Sequence, residues 1–180
     1  WYPLILMEWV QGDTLFRWVQ ARCRESNSAA LAHAAEQWLV LAKELGDASV
    51  AHGDLQHANV MVSEQGQLKL VDYDCLCVPA LVGRRNLEVG VEPYQHPARC
   101  ASTLLSLDLD HFSELVVYTA LRALAADPGL WQKHVEATGY DKLLFRSDDI
   151  RSPATSALYH DLQNLRDAER RGRELRERID

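Results

Sequence analysis

Apolar residues follow a helical period over much of the chain. Spacing of three and four residues places apolar side chains on one face of a helix and predicts amphipathic helices. The predicted helical segments are Thr14–Arg24, Ser28–Leu45, Phe112–Ala126, Leu130–Thr138 and Ala154–Arg178. Ser28–Leu45 is the clearest of them, because a serine at its start can cap the helix and Gly46 can end it. The pattern therefore predicts an α-rich chain.

Shorter apolar runs predict a minor β component. Pro3–Val10 is nearly continuous in apolar residues, which is typical of a buried strand that runs into a turn. Asn59–Ser63 and Gln67–Asp72 are apolar-rich and are separated by three residues ending in glycine, so they predict a β-hairpin. Residues 73–97 show neither the helical period nor the alternation typical of a strand. An irregular segment of that length inside a compact domain is usually functional.

Composition narrows the class of protein. The 180 residues are 47% hydrophobic and 25% charged, as in an ordinary folded domain. The net charge of −7 argues against a protein that binds nucleic acid through bulk positive charge. No apolar stretch approaches the roughly 20 residues that cross a bilayer, and the cysteines lack the C-x-x-C spacing of zinc sites. We therefore expect a cytoplasmic protein with no nucleic-acid partner and no membrane segment in this part.

Three oxygen-bearing side chains carry the candidate chemistry. Asn59 follows Asp54 by five residues, and Asp72 follows Asn59 by thirteen, across the predicted hairpin. Phosphoryl transfer needs a carboxylate that receives the proton of the acceptor hydroxyl or orients it, and it needs oxygen ligands for the Mg²⁺ on the phosphates. The strands of the hairpin would fix Asn59 and Asp72 on a rigid frame. These residues therefore favour phosphoryl transfer.

The same residues lie in motifs that resemble those of protein kinases. His52–Asn59 resembles the catalytic-loop motif H-R-D-L-x-x-x-N, and Asp72-Tyr73-Asp74 resembles D-F-G. Leu6–Val10 resembles the strand that enters the hinge, Tyr94–Pro97 the end of an activation segment, and Asp110–Ser113 the start of the central helix. The chain thus resembles the C-terminal lobe of the protein-kinase-like superfamily, in a bacterial Ser/Thr protein kinase-like branch. The resemblance implies an α+β protein-kinase-like fold, here a mainly α-helical large lobe with a hinge strand and a small β-hairpin.

The resemblance implies a role for each site residue. Asp54 would be the catalytic base, or would orient the acceptor hydroxyl, and Asn59 and Asp72 would be the metal ligands that hold Mg²⁺ on ATP. ATP and Mg²⁺ are thus the implied cofactors. Five residues would surround adenine: Met7 as gatekeeper, Glu8 and Val10 through backbone groups, Met61 as the apolar floor and Val71 as a lining residue. Asp110 would brace the backbone of the catalytic loop.

The resemblance also divides the chain. Residues 1–160 would form the C-terminal lobe, and residues 161–180, rich in Arg and Glu, a charged helical tail. Trp1 lies in an apolar run just before the hinge, so we expect an N-terminal lobe to precede it in the full-length protein. This sequence contains neither a G-x-G-x-x-G loop nor a strand lysine upstream of the hinge. The isolated fragment is therefore expected to be inactive.

The implied function is transfer of the γ-phosphoryl group of Mg-ATP to a hydroxyl, as in protein Ser/Thr kinases, and departures from the family pattern leave alternatives open. Gly53 replaces the arginine before the catalytic Asp, and Gln56 replaces the lysine two residues after it. The H-G-D-L form also occurs in small-molecule kinases of the aminoglycoside and choline type, so the acceptor is a protein or a small molecule. A pseudokinase scaffold or binding module is the third alternative, although retention of the three site residues favours an enzyme.

Overall fold

The structure, a computed structural model, describes residues 9–86, 89–100 and 102–176. About half of the chain is helical, and a small three-stranded antiparallel sheet accompanies the helices. The helices are α1 (Leu15–Arg24), α2 (Ser28–Asp47), α3 (His111–Ala126), α4 (Gly129–His134), α5 (Ser147–Arg151) and α6 (Ala157–Arg176). The strands are β1 (Asp13–Thr14), β2 (Val60–Val62) and β3 (Leu68–Leu70). The predicted α+β class is confirmed at this level.

Helix α1 begins where the sequence predicted. Thr14 has an extended backbone, and its Oγ1 accepts a hydrogen bond from the Arg17 N–H at 3.4 Å, which caps the first turn. Leu15, Val19 and Cys23 recur every four residues and are buried. The helix therefore packs one apolar stripe into the core and turns its polar face outwards.

Helix α2 carries the predicted stripe but begins with a different cap. The cap is Asn27 rather than Ser28, because the Asn27 side chain accepts the Ala30 N–H at 3.0 Å. Asparagine and serine are both good N-caps, so the sequence did not distinguish two neighbouring candidates. The buried residues of the stripe are Leu31, Ala34, Ala35 and Trp38, and Leu41 and Leu45 pack partly buried against the core.

The prediction that Gly46 ends α2 is wrong. The helix passes through Gly46, and Ser49 adopts the left-handed conformation with φ of 54°. The Ser49 N–H donates to the Gly46 carbonyl and the Val50 N–H to the Leu45 carbonyl, each at 3.0 Å. This bonding pattern is a Schellman motif, in which glycine usually takes the left-handed position. The stop is thus three residues later than the glycine suggested.

Helix α3 lies centrally and packs mainly on α2. The Trp38 indole N–H donates to the Glu114 carbonyl at 2.9 Å, which ties the two helices together within the core. The buried residues of α3 are Ser113, Val116, Val117, Ala120, Leu121, Ala123 and Leu124. This distribution agrees with the strongly apolar pattern of the segment, while Leu115 remains 61% exposed on the outer side.

The sheet contains the predicted hairpin and one further strand. β2 and β3 pair antiparallel, with Val60 opposite Leu70 and Val62 opposite Leu68. β1 pairs antiparallel with β2 on its other side, and this short strand was not predicted. Val60 and Val62 are buried, whereas the intervening Met61 faces the other side of the sheet and is half-buried. The hairpin thus packs one face on the helices and leaves the other face towards the outside.

The C-terminal part is more broken than its helical pattern predicted. α4 is followed by a short 3₁₀ turn at Glu136–Thr138, and a second turn at Pro153–Thr155 precedes α6. α6 begins at Ala157 rather than Ala154, because the Ser156 Oγ accepts the Tyr159 N–H at 3.2 Å and acts as a cap. α6 is continuous across residue 160, and Leu158 on its first turn is buried in the core.

The predicted hinge strand falls largely outside the described residues. Residues 1–8, which include Met7 and Glu8, are among the undescribed ones. Trp9 and Val10 are described and belong to no strand, and Trp9 is 85% exposed. Within the described part of the chain, no helix combines the length and apolar character needed to cross a bilayer.

Candidate functional site

The candidate site is built on the loop of residues 51–59, which connects α2 to β2. Ala51 starts this loop with an isolated bridge to Cys77, closed by backbone hydrogen bonds of 2.9 and 2.7 Å. His52 is fully buried, and its Nε2 lies 3.0 Å from the Val71 carbonyl oxygen. The histidine therefore has a structural role, since it connects the 51–59 loop to the end of β3.

Asp110 braces the 51–59 loop from the start of α3. Its carboxylate accepts the backbone N–H groups of both His52 and Gly53, the latter at 2.9 Å. Asp110 is only 2% exposed, and burial raises the pKa of its carboxyl, while the two N–H donors oppose the increase. The contact that the sequence resemblance implied for Asp110 is therefore present. It fixes the backbone immediately before Asp54.

Gly53 has a conformation and a setting that only glycine fits. Its φ is 82°, in the left-handed region. A Cβ at this position would fall well inside contact distance of the Cys75 carbonyl oxygen and 3.0 Å from the Cys75 Cβ. The backbone after β3 passes directly over Gly53, so this position has no room for a side chain.

Asp54 and Asn59 are brought together as their spacing predicted. The Asn59 Nδ2 donates to the Asp54 carboxylate at 3.0 Å and to the Asp54 backbone carbonyl at 2.9 Å. The Gln56 Nε2 donates to the same carboxylate oxygen, Oδ2, at 2.8 Å. Gln56 is therefore a neutral hydrogen-bond donor to Asp54. The carboxylate of Asp54 is held in one orientation by two amide side chains from its own loop.

The long irregular segment folds back onto the other oxygen of Asp54. The Val91 backbone N–H donates to Asp54 Oδ1 at 3.3 Å. Gly90 precedes it with φ of 78°, and a Cβ on Gly90 would lie 3.0 Å from the same oxygen. Residues 90–91 thus form one wall of the site. The half-buried Asp54 therefore lies between its own loop and this wall.

Asp72 lies just beyond β3 and is exposed. Its backbone is left-handed, with φ of 67°, which is uncommon for a residue with a side chain. The preceding residue, Val71, donates its N–H to the Asn59 carbonyl at 3.0 Å. Asp72 is thus connected to the Asp54–Asn59 pair through the backbone. Its carboxylate remains accessible to solvent.

The aromatic residue after Asp72 is anchored on both sides. The Tyr73 hydroxyl donates to the Leu70 carbonyl at 2.8 Å, and the Tyr73 ring lies 5.7 Å from the His52 ring, centroid to centroid. These contacts fold the turn after β3 back towards the 51–59 loop. They fix the backbone direction at Asp72.

Only part of the predicted adenine site is described. Met7 and Glu8 lie outside the described residues, and Val10 is half-buried in an irregular stretch. Met61 lies on the outer face of β2, opposite Lys69, and Val71 follows β3 as a half-buried residue. Met61, predicted as the floor, therefore lies in the β2–β3 hairpin, and Val71, predicted as a lining residue, lies just after it.

A buried hydrogen-bond chain supports the same loop from beneath. The Tyr94 hydroxyl lies 2.7 Å from His57 Nδ1 and accepts the Leu143 N–H at 2.9 Å. Burial lowers the pKa of His57 to about 4, and the nearby Lys142 acts in the same direction. A neutral imidazole can accept a hydrogen bond from the Tyr94 hydroxyl. His57 is therefore a structural residue of the site.

The donor set suits a hard divalent cation. Among the described residues, no group of three or more His, Cys, Asp or Glu side chains could hold a metal ion by itself. Mg²⁺ is usually bound through one or two protein oxygens, with waters and substrate phosphates completing its coordination. The Asn59 amide oxygen and the exposed Asp72 carboxylate are oxygen donors of this kind. The two donors therefore fit such an ion.

Two residues that border the site, Gln95 and Arg99, were not singled out from the sequence. The Arg99 guanidinium donates to the Gln95 side-chain oxygen, and both residues line a pocket that includes Gly90. Gln95 lies within the Tyr94–Pro97 motif, but the motif gave no indication that Gln95 contacts Arg99.

Comparison of the chain with models of known protein families found no match, and comparison with curated protein sequences found none either.

Proposed function

We propose that this chain is the large lobe of a kinase-like phosphotransferase, which transfers the γ-phosphoryl group of Mg-ATP to a hydroxyl. Asp54 orients the acceptor hydroxyl and accepts its proton as the oxygen attacks phosphorus. Asn59 and Asp72 hold the metal ion. Bound Mg-ATP supplies the phosphoryl group, and its metal offsets the negative charge of the phosphates.

The arrangement of Asp54 is the observation that supports this proposal most. One carboxylate oxygen accepts two amide donors from the 51–59 loop, and the other accepts the Val91 N–H. The backbone beneath it is fixed by Asp110. A base must be held within hydrogen-bond reach of the proton it takes, and such restraint provides that. A carboxylate needed only for folding would not require a partly exposed position beside the Asn59 amide.

The acceptor we favour is a protein serine or threonine, as in the family the sequence resembles. A small-molecule hydroxyl fits the same proton transfer, because the chemistry at Asp54 does not depend on the size of the acceptor. Gln56 replaces a cation with a neutral donor, and this would lower the stabilisation of the transferring group. We therefore expect slow transfer in comparison with kinases that have lysine at this position.

The test is phosphoryl transfer by the full-length protein with labelled ATP and Mg²⁺. Asp54→Asn removes the proton acceptor, and we expect the rate to fall by about 10²–10⁴-fold. Asp72→Asn weakens the metal site, and we expect a fall of about a hundredfold or more, since metal stabilisation amounts to several kcal/mol. Rates are measured as label incorporated into the protein itself and into a panel of protein and small-molecule hydroxyls.

Glu64→Gln is the matched control, because it converts an exposed carboxylate to an amide on the β2–β3 turn, away from the site. Its rate should equal that of the unchanged protein. Circular dichroism of all three variants checks that the fold is retained. Transfer that survives both Asp54→Asn and Asp72→Asn would contradict the proposal. A protein that binds ATP without transferring it would instead be a scaffold.

A further inference from the structure

A small pocket adjoins Asp54 on the side away from Asn59 and the hairpin. It has a volume of about 40 Å³, room for about three water molecules. Its lining includes Gly90, Gln95, Arg99, Ser147 and Arg151, so that the long irregular segment meets helix α5 there. We refer to it as the Gln95 pocket. None of the roles assigned above to Asp54, Asn59 and Asp72 uses it.

Gln95 presents an unused donor in this pocket. The side chain is only 6% exposed, and its Oε1 accepts the Arg99 guanidinium. Because arginine has donors and no acceptor, this contact fixes the amide orientation and leaves Nε2 on the other side. Among the described residues, Nε2 is buried with no hydrogen-bond partner. A buried amide N–H without a partner is destabilising, so a ligand that accepts from it would be favoured.

The hydrogen-bond donors of the pocket point to the kind of ligand. Arg99 and Arg151 both line it, and Arg151 pairs with Glu92 at 2.8 Å at the exposed rim. Two guanidinium groups and one carboxylate belong to the lining, and the Asp54 carboxylate adjoins it at Gly90. Ser147 also lines the pocket. Guanidinium and amide donors together are the groups that bind carboxylate and phosphate oxygens in proteins.

Gly90 places the pocket next to Asp54. A Cβ on Gly90 would collide with Gln95 Nε2 and would lie 3.0 Å from Asp54 Oδ1. The unused amide donor and the carboxylate therefore face the same point on the backbone. A molecule with an oxyanion at Nε2 could place a neighbouring hydroxyl at Asp54. Glycine at position 90 leaves the space between the two groups open.

We propose that the Gln95 pocket binds an oxyanion, a carboxylate or a phosphate, carried by the acceptor next to the hydroxyl that receives the phosphoryl group. This inference rests on the proposed function for the identity of the acceptor. Binding of the oxyanion itself requires neither ATP nor transfer. Gln95 and Arg99 are therefore residues that determine specificity for an acidic or already phosphorylated acceptor.

The test is a titration of the ¹⁵N-labelled protein with inorganic phosphate and, separately, with acetate, at constant ionic strength set by sodium chloride. We expect saturable NMR shifts of the Gln95 side-chain amide and of the Gly90 and Arg99 backbone amides. Stronger binding of phosphate would indicate a phosphorylated acceptor, and stronger binding of acetate a carboxylate acceptor. Absence of a saturable shift at Gln95 with either anion would overturn the proposal.

Two substitutions that each add one negative charge distinguish anion binding in the pocket from a general effect of the protein's net charge. Gln95→Glu replaces the unused donor with a carboxylate, and we expect at least a tenfold loss of affinity for the bound anion. Gln65→Glu makes the same change at an exposed turn position and should leave affinity unchanged. Equal losses in both variants would refute a specific pocket. If Gln95→Glu does not fold, Arg151→Gln at the exposed rim replaces it, with a severalfold loss expected.

Asp72→Asn separates this inference from the proposed function. The variant should lose transfer and keep phosphate affinity, because Asp72 is not part of the pocket lining. Anion binding without any transfer in the unchanged protein would contradict the proposed function alone. Transfer without anion binding at Gln95 would contradict this inference alone.

Discussion

Gly53 and Gly83 share a left-handed backbone, with φ of 82° and 80°, but their surroundings differ. A Cβ at Gly53 would collide with the Cys75 carbonyl oxygen, whereas no other described residue apart from its chain neighbours comes within 4 Å of a Cβ at Gly83. Any residue with a side chain is strained at both positions, and only at Gly53 is a steric collision added. The packing of the 51–59 loop thus requires glycine just before Asp54.

This pair of glycines gives a direct comparison. Gly83→Ala should lower the free energy of unfolding by about 1 kcal/mol, from backbone strain alone. Gly53→Ala should lower it by about 3 kcal/mol or more, because the loop must also move away from Cys75. Urea unfolding followed by circular dichroism measures both. Equal losses would show that the close approach of Cys75 to Gly53 contributes nothing.

At the scale of elements, the sequence patterns predicted those helices and strands that depend on residues close together in the chain. Helices α1 and α3 and the β2–β3 hairpin follow from side-chain period and turn residues, which act within a few positions. β1 escaped prediction because two residues are too short to show a period. The end of α2 also escaped it, since Ser49 takes a left-handed conformation that glycine usually provides.

The same distinction applies to the candidate site, where a contact within one loop was predictable and a contact between distant segments was not. The contact between Asp54 and Asn59 lies within one loop, so their spacing predicted it. The approach of Val91 to Asp54 depends on how an irregular segment of more than a dozen residues folds back over the loop. No local pattern encodes that path. Gln95 and Arg99 were missed for this reason, although Gln95 lies in a motif that the sequence made visible.

The packing of α2 on α3 is tested by Trp38, whose indole N–H is bonded to the Glu114 carbonyl. Trp38→Phe keeps an aromatic ring but removes the donor and part of the buried surface. We expect a loss of about 1–3 kcal/mol in the free energy of unfolding. Val40→Ala, half-exposed on the same helix, is the control and should change it by less than about 0.5 kcal/mol. Urea unfolding by circular dichroism compares them, and similar losses would exclude a special role for Trp38.

At the scale of the whole molecule, one buried chain of hydrogen bonds joins parts that are far apart in sequence. His57 belongs to the 51–59 loop, Tyr94 to the irregular segment and Leu143 to the stretch between α4 and α5. Tyr94 is fully buried at the centre. The site is therefore coupled to the stability of the C-terminal half through a neutral imidazole.

This coupling predicts an acid-dependent loss of stability. The pKa of His57 falls from 6.5 to about 4 on folding, mainly through burial and also through Lys142, with Asp141 and Asp54 opposing. The unfolded chain therefore binds the proton more readily, and stability present above pH 6.5 is lost as the pH falls towards 4. The expected loss over that range is about 3 kcal/mol.

Urea unfolding at a series of pH values measures this loss. His57→Gln should remove most of the pH dependence between 6.5 and 4. His33→Gln removes an exposed imidazole from α2 and controls for the loss of a histidine as such. An unchanged slope in His57→Gln would contradict the assignment of this pH dependence to His57.

The Asp110 carboxylate has a consequence for exchange of backbone hydrogen with solvent deuterium. The amides of His52 and Gly53 are bonded to a side chain at the start of α3, not to a neighbouring strand. They can exchange only when the 51–59 loop separates from α3. The protection of these two amides therefore reports how often the backbone beneath Asp54 opens, independently of any ligand or reaction.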